Sequence, residues 1–312
     1  MSDSAGASIV LGFPGYREPA QRLASKRGMI YADIEVHRFP DGESLVRLPA
    51  ALPRDAVLYT SFDDPNRRLI EVEFAAATAS RLGAKVLTLV APYLCYMRQD
   101  AAFRPGEAIS QHVVGALLAR HFDAVVTVDP HLHRTTRLAD AIPARQALAL
   151  SAAPVIAAWL ESRGGEPLLI GPDEESEQWV SAIAAPGEHE YGVAMKTRIG
   201  DDEVRVELPK RSFAGRDVVL VDDVASTGHT LAEAARQIAD RGAATISVVV
   251  SHALFVGDAL ARLRDAGVSD ICSTDSLLHQ SNCLHLDAIL SQGLNDLSES
   301  TKRTTAAQTP IS

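Results

Sequence analysis

The chain has 312 residues, 46% of them hydrophobic, which is enough to bury a sizeable core and to divide into about two domains. Forty acidic against thirty basic residues leave a net charge of −10, which excludes a general nucleic-acid or anionic-membrane surface, since both need a basic field. Any phosphate must be bound by local groups.

Short β-rich runs alternate with Ala-rich stretches of helical period, the mark of an α/β protein with mainly parallel sheets. In chain order, strands are expected over 7–12 and 56–61, a helix over 68–83, a strand over 84–93, a helix over 109–122 and a strand over 123–129. A helix over 151–164, a strand over 166–173, a helix over 177–185 and strands over 190–196 and 217–223 follow. The last pair is a helix over 230–242 and a strand over 244–253. Several helices end on Gly, as at Gly83, Gly164 and Gly242. Two strand–helix series can be distinguished, so domains are expected over 1–148 and 149–296. The polar stretch 297–312, rich in Ser and Thr, is expected to be a disordered tail.

Cys95, Cys272 and Cys283 form no C-x-x-C spacing and no even framework, so neither a disulfide scaffold nor structural zinc is expected, and a reducing cytoplasm is the expected setting. The first residues lack a basic stretch before a long apolar one, and no run reaches roughly 18 apolar residues, so neither secretion nor membrane insertion is expected.

The chemistry-bearing residues stand near strand ends. "HRFPDGESLVRLP" places Phe39, Asp41 and Glu43 at alternate positions with Gly42 allowing a tight turn; by composition it is a turn between strands. After the strand over 84–93 come Arg98, Gln99 and Asp100, a guanidinium, an amide and an acid that suit adenine and polyphosphate, although a surface Arg-Gln-Asp alone specifies little. Arg104 is the basic residue of the "AAFRPGE" that follows. "DAVVTVDPHLHR" ends on Asp129, His131 and His133. The two histidines share one side of an extended segment, so a zinc pair is conceivable, but no Cys or third His stands at a useful spacing. An acid with one His suits Mg²⁺ and phosphate better. Asp173 closes another strand and is followed by Glu174, Glu175 and Ser176. Lys196 and Arg198, at i and i+2 in a polar hairpin or flap, could both face an anion, although such charges are commonly just solvated.

"VVLVDDVASTGHT" delivers Asp222 and Asp223 to the carboxyl edge of a buried strand, the place where open α/β sheets bind ligands. Adjacent carboxylates accept hydrogen bonds from sugar hydroxyls or hold a hydrated Mg²⁺. Ser226, Thr227, Gly228, His229 and Thr230 then lead into a helix N-terminus, a ready anion site. Together they describe a sugar phosphate. The plainer alternative has Ser226 and Thr230 capping the helix and the two acids solvated in a turn.

This stretch resembles the phosphoribosyl diphosphate loop shared by the type I phosphoribosyltransferases and the ribose-phosphate diphosphokinase family, and the loop alone does not separate them. The "YMRQD", "VDPHLH", "HRFPDGE" and Lys-x-Arg segments, in their order and spacing, also resemble the diphosphokinases, from residue 37 to about residue 294. The resemblance implies two tandem type I phosphoribosyltransferase-like domains, each a mainly parallel sheet flanked by helices. It implies transfer of the diphosphoryl group of ATP to ribose 5-phosphate with Mg²⁺, in a cytoplasmic homo-oligomer active in nucleotide biosynthesis.

By the same resemblance, Lys196, Arg198 and His131 are catalytic and Asp129 with His131 lies at the metal. ATP is contacted by Phe39, Asp41, Glu43, Arg98, Gln99, Asp100 and Arg104, with the first three supplied from a neighbouring subunit so that the ATP site lies at a dimer interface. Ribose 5-phosphate is held by Asp173, Asp222, Asp223, Ser226, Thr227, Gly228, His229 and Thr230. The chain departs from the family's common form in a loop over 101–107 without Lys, in Glu174 and Glu175 where small residues are usual, and in Ser226 and His229 for Asp and Gly. A phosphoribosyltransferase, or a non-catalytic synthetase-associated protein, are the alternative readings. Neither a P-loop nor a G-x-S-x-G elbow occurs.

Overall fold

A computed structural model describes residues 8–198 and 204–307. The chain divides into two compact units, one running to Leu150 and resuming at Leu286, the other Ser151–His285. The first contains β1 (Ser8–Gly12), α1 (Arg17–Arg27), β2 (Ile30–Asp33), β3 (Glu35–Arg38), β4 (Ser44–Arg47), β5 (Asp55–Tyr59), α2 (Pro65–Arg81) and β6 (Val86–Val90). It continues with α3 (Ser110–Ala119), β7 (Ala124–Val128), α4 (Leu138–Ala141) and β8 (Gln146–Leu150). Its parallel sheet has the order β2-β1-β5-β6-β7-β8, and β3 and β4 form a separate antiparallel hairpin with Arg38 opposite Ser44. Every residue of β7 is buried, as expected of a strand covered on both faces. In α2 the buried Leu69, Val72, Ala76 and Ala79 recur every three or four positions and form one face, while Pro65 starts the helix where its missing N–H costs nothing.

The second unit holds α5 (Ala153–Arg163), β9 (Leu168–Gly171), α6 (Glu177–Ala184), β10 (Tyr191–Val193), β11 (Met195–Arg198), β12 (Val204–Glu207) and β13 (Asp217–Ala225). After these come α7 (His229–Asp240), β14 (Thr245–Ala253), α8 (Ala259–Asp265), β15 (Asp270–Thr274) and β16 (Asn282–Leu284). Its parallel sheet runs β10-β9-β13-β14-β15-β16, with β11 and β12 as an antiparallel hairpin in which Lys196 faces Val206. The order of strands reverses between β1 and β5 in the first sheet and between β9 and β13 in the second. Loops leaving such a pair diverge, and a crevice opens at the carboxyl ends.

Three expectations are corrected. The segment from Leu297, expected to be disordered, is helical as far as Ala307 within α9 (Asp287–Ala307). This helix belongs to the first unit, so the stretch 286–296 leaves the domain in which it was expected. Leu286, Leu290 and Leu294 are buried at four-residue spacing, Gly293 faces Leu148 and Leu150 of β8, and the Gln146 amide donates to the Leu297 carbonyl at 3.2 Å. The helix is anchored by three leucines that precede the Ser- and Thr-rich stretch. Cys272 and Cys283, for which no bond was expected, form a disulfide: β15 and β16 lie side by side and bring their Cα atoms to 5.7 Å, a separation that a disulfide spans. Cys95 is a buried free thiol, pushed up by desolvation to about 12. No described helix is long and apolar enough to cross a membrane.

Leu290→Ala is expected to destabilise the protein by about 2–5 kcal/mol in urea unfolding, the cost of a core cavity. An unchanged midpoint would remove Leu290 from the core.

Candidate active site

β13 is nine residues long and β9 only four, with Val218 to Leu220 pairing Leu168 to Ile170. β13 therefore outruns its neighbour and carries Asp222 and Asp223 past the end of β9, still supported by β14 on the other side. Strand alternation sends the two side chains to opposite faces, Asp223 buried and Asp222 partly open. The Asp223 N–H donates to Asp222 Oδ1 at 3.0 Å. Although some of its surface remains open, the Asp222 carboxyl sits among packed neighbours. Desolvation, then the charge of Asp223, then that of Asp173, hold it well above the usual carboxylate range.

The counter-charge comes from Lys196. Its Nζ lies 3.4 Å from Asp173 Oδ2, with both side chains largely covered, and its backbone N–H donates to Glu174 Oε2 at 3.2 Å. Asp173, Lys196, Asp222 and Asp223 are thus brought together by the loop after β9, the root of the β11–β12 hairpin and the end of β13. The Arg198 side chain and residues 199–203 of the expected flap lie outside the described residues.

The loop after β13 is pinned from behind. The Ala225 and Ser226 carbonyls accept the N–H groups of Phe255 and Val256 at 2.8 and 3.0 Å, and the Thr227 carbonyl accepts the Arg262 guanidinium, which also binds Asp258 at 2.8 Å. Gly228 stands before α7 with φ 71°, a conformation that costs other residues energy. The N-cap position of α7 is Gly228 and no side-chain capping bond is formed there, so Ser226 and Thr230 do not fill the capping role. Thr227 Oγ1 lies 3.0 Å from His229 Nδ1.

In the first unit Phe39, Asp41 and Glu43 sit exposed at the tip of the β3–β4 hairpin, shaped by a 3.1 Å bond from Glu43 N–H to Asp41 Oδ1. The hairpin is anchored to α2 through buried Glu71, which accepts from Ser44 Oγ at 3.1 Å and from Arg68 at 3.0 Å, with Arg38 3.6 Å away. Arg98 is exposed and Gln99 half-buried, whereas Asp100 is engaged: its carboxylate takes both the N–H and the guanidinium of Arg134 at 2.8 Å. Desolvation opposes its ionisation, but these bonds prevail and hold Asp100 below its ordinary value. Arg104 is exposed, its N–H bound to Glu107. Asp129 is buried at φ 37°, its N–H bound to the Leu150 carbonyl at 2.8 Å. His131 and His133 meet edge-on with their Nε2 atoms 3.0 Å apart.

Sequence reasoning missed the supporting residues. Gln111 is fully buried, donating to the Met97 carbonyl at 2.9 Å and accepting from Thr135 at 2.8 Å, and so fixes the start of the Arg98–Asp100 segment. Arg134 and Arg262 likewise act through loops distant in sequence. Their spacing carries no signal; Gln111 alone had one, as a polar residue on the expected buried face of α3.

The N-terminal domain of ribose phosphate pyrophosphokinase matches residues 9–121, and the phosphoribosyl transferase domain matches residues 139–276. A ribose-phosphate pyrophosphokinase of Methanopyrus kandleri is 36% identical over 260 residues, covering 82% of this chain and 88% of that protein. The chain belongs to the ribose-phosphate pyrophosphokinase family. Another member, from Saccharolobus solfataricus, is 33% identical over 279 residues, 86% of this chain and 93% of its own length. The crystal structure of phosphoribosylpyrophosphate synthetase from Mycobacterium smegmatis shares the fold, with a TM-score of 0.80 at 22% identity over 95% of this chain and all of that one. Two tandem units, each built on a six-stranded parallel sheet flanked by helices, are the architecture of this family.

Two outcomes follow from its electrostatics and anchoring. Asp222 binds its proton more tightly folded than unfolded, so its contribution to stability declines as pH rises above the unfolded value, about 4, towards the raised folded one. Asp222→Asn is therefore expected to raise the melting temperature relative to the parent at pH 7.5 and to narrow that difference at pH 4. Arg262→Ala releases the Thr227 carbonyl and is expected to raise KM for ribose 5-phosphate about 10- to 100-fold in initial-rate assays, the effect of one charged hydrogen bond.

Proposed function

We propose that this protein transfers the β,γ-diphosphoryl group of ATP to the 1-hydroxyl of ribose 5-phosphate, giving 5-phosphoribosyl 1-diphosphate and AMP for nucleotide synthesis in the cytoplasm. The observation that carries the reading is the crevice of the second unit, where Asp222 and Asp223 at a strand end, an amide loop at a helix N-terminus and Lys196 converge in a member of this family. The helix N-terminus and the hydroxyls of Ser226, Thr227 and Thr230 hold the 5-phosphate, with His229 beside them. Asp222 and Asp223 accept hydrogen bonds from the ribose hydroxyls.

In the reaction a bond forms between O1 of the sugar and Pβ, the bond from Pβ to the bridging oxygen of AMP breaks, and the proton of the 1-hydroxyl passes to solvent. Little covalent work falls to the protein, so positioning and neutralisation of spreading negative charge dominate. Lys196 exchanges Asp173 for phosphoryl oxygens, and Arg198 supplies a second cation two residues on. Arg98, Gln99 and Arg104 hold the nucleotide, with Asp100 acting through Arg134. Phe39, Asp41 and Glu43 stand outward at a hairpin tip, which suits adenine contacts made to a neighbouring subunit in a homo-oligomer. Asp129 and His131 offer an oxygen and a nitrogen donor, a set that accepts a divalent cation with water completing its shell, and the crowding of carboxylates around Asp222 also favours a cation nearby. Bound there, Mg²⁺ would neutralise phosphate charge.

Incubation with ATP, ribose 5-phosphate and Mg²⁺ is expected to release AMP in step with 5-phosphoribosyl 1-diphosphate. Turnover only from preformed 5-phosphoribosyl 1-diphosphate and a base would mark a phosphoribosyltransferase instead. Lys196→Ala is expected to lower kcat by about 10²–10³ with ribose 5-phosphate binding nearly intact. A raised KM at unchanged kcat would remove Lys196 from the transition state.

A further inference from the structure

Two extra carboxylates, Glu174 and Glu175, directly follow Asp173 beside a crevice built for anions, where free negative charge is unfavourable. The geometry of Glu174 resolves this. The turn that carries it is rigid: Ser176 is fully buried and its Oγ donates to the Asp173 carbonyl at 2.5 Å. Gly171 lies so close beneath that a Cβ there would come within 2.1 Å of Ser176 Oγ. Opposite this turn the chain leaves the sheet. The Ala194 N–H still bonds the Gly171 carbonyl at 2.9 Å, but from Met195 onward β11 pairs with β12 alone. Lys196 is therefore at the root of the hairpin, where nothing in the main sheet fixes its main chain. Glu174 does so, accepting the Lys196 N–H at 3.2 Å, while the Lys196 side chain reaches Asp173.

We propose that Glu174 is a positioning residue that ties the hairpin root to the rigid turn after β9 and thereby aims the Lys196 ammonium into the crevice. Its carboxylate acts on the main chain of Lys196 and touches no substrate. The side chain of Lys196 can then leave Asp173 for a phosphoryl oxygen without its backbone shifting. The inference rests on the reading of Lys196 as the cation that neutralises the transferring group.

The test compares Glu174→Ala with Glu174→Gln, whose amide oxygen keeps an acceptor without the charge. Glu174→Ala is expected to lower kcat for AMP release about 5- to 10-fold, the effect of one hydrogen bond on the position of a catalytic group, with KM for ribose 5-phosphate changed less than about 2-fold. Glu174→Gln is expected to recover most of kcat, and Glu174→Ala to add nothing in a Lys196→Ala background. Equal losses in the two Glu174 variants, an unchanged kcat in Glu174→Ala, or full additivity with Lys196→Ala would overturn the proposal. Hydrogen exchange at the Lys196 amide reads the tether without turnover: it is expected to quicken in Glu174→Ala and to stay slow in Glu174→Gln, and equal exchange in all three proteins overturns it. Absence of AMP release by the parent protein would strike at the functional reading alone, leaving the exchange experiment to decide the tether.

Discussion

The second unit is arranged around one electrostatic constraint: three carboxylates, Asp173, Asp222 and Asp223, share the end of a sheet, and Lys196 pairs with the first of them. Like charges at such a site raise one another's proton affinity, and Asp222 bears that burden. A partly covered ion pair is worth at most about 1 kcal/mol, so the contact between Lys196 and Asp173 matters little to stability. Its importance lies in what it holds ready, a crowded group of carboxylates and a cation able to change partners when hydroxyls, phosphate or metal arrive.

That cluster exists because of strand lengths. β13 outruns β9 by several residues, and only an overhanging strand can present adjacent acids, one to each face, above a reversal in strand order. The loop that follows is held by its carbonyls, from Phe255, Val256 and Arg262, which leaves the amide side of the loop and helix for an anion. The first unit repeats the plan with different anchors: Gln111 and Arg134 steady the Arg98–Asp100 segment, and Glu71 steadies the hairpin.

Most regular elements bearing site residues were legible in the chain, because buried parallel strands are continuous apolar runs and their helices repeat alanine and leucine every three or four positions. The hairpin of Phe39, the pair Asp222-Asp223 and the Lys196-x-Arg198 spacing were legible for the same local reason. α9 was not: its polar surface outweighs three leucines whose meaning depends on β8, more than a hundred residues earlier. The bond between Cys272 and Cys283 was hidden too, since it requires β16 to lie beside β15.

The sequence by itself determined the fold class, the order of the ligand-bearing strand ends and the chemistry available at each, since these depend on neighbours along the chain. Tertiary structure alone decided which charges oppose each other. Asp100 meets Arg134, Glu174 meets the amide of Lys196, and Asp222 is pressed by Asp173, across separations of 34, 22 and 49 residues. Electrostatic and hydrogen-bonding energies depend on distance in space, and no local pattern encodes distances that only the closed sheets create.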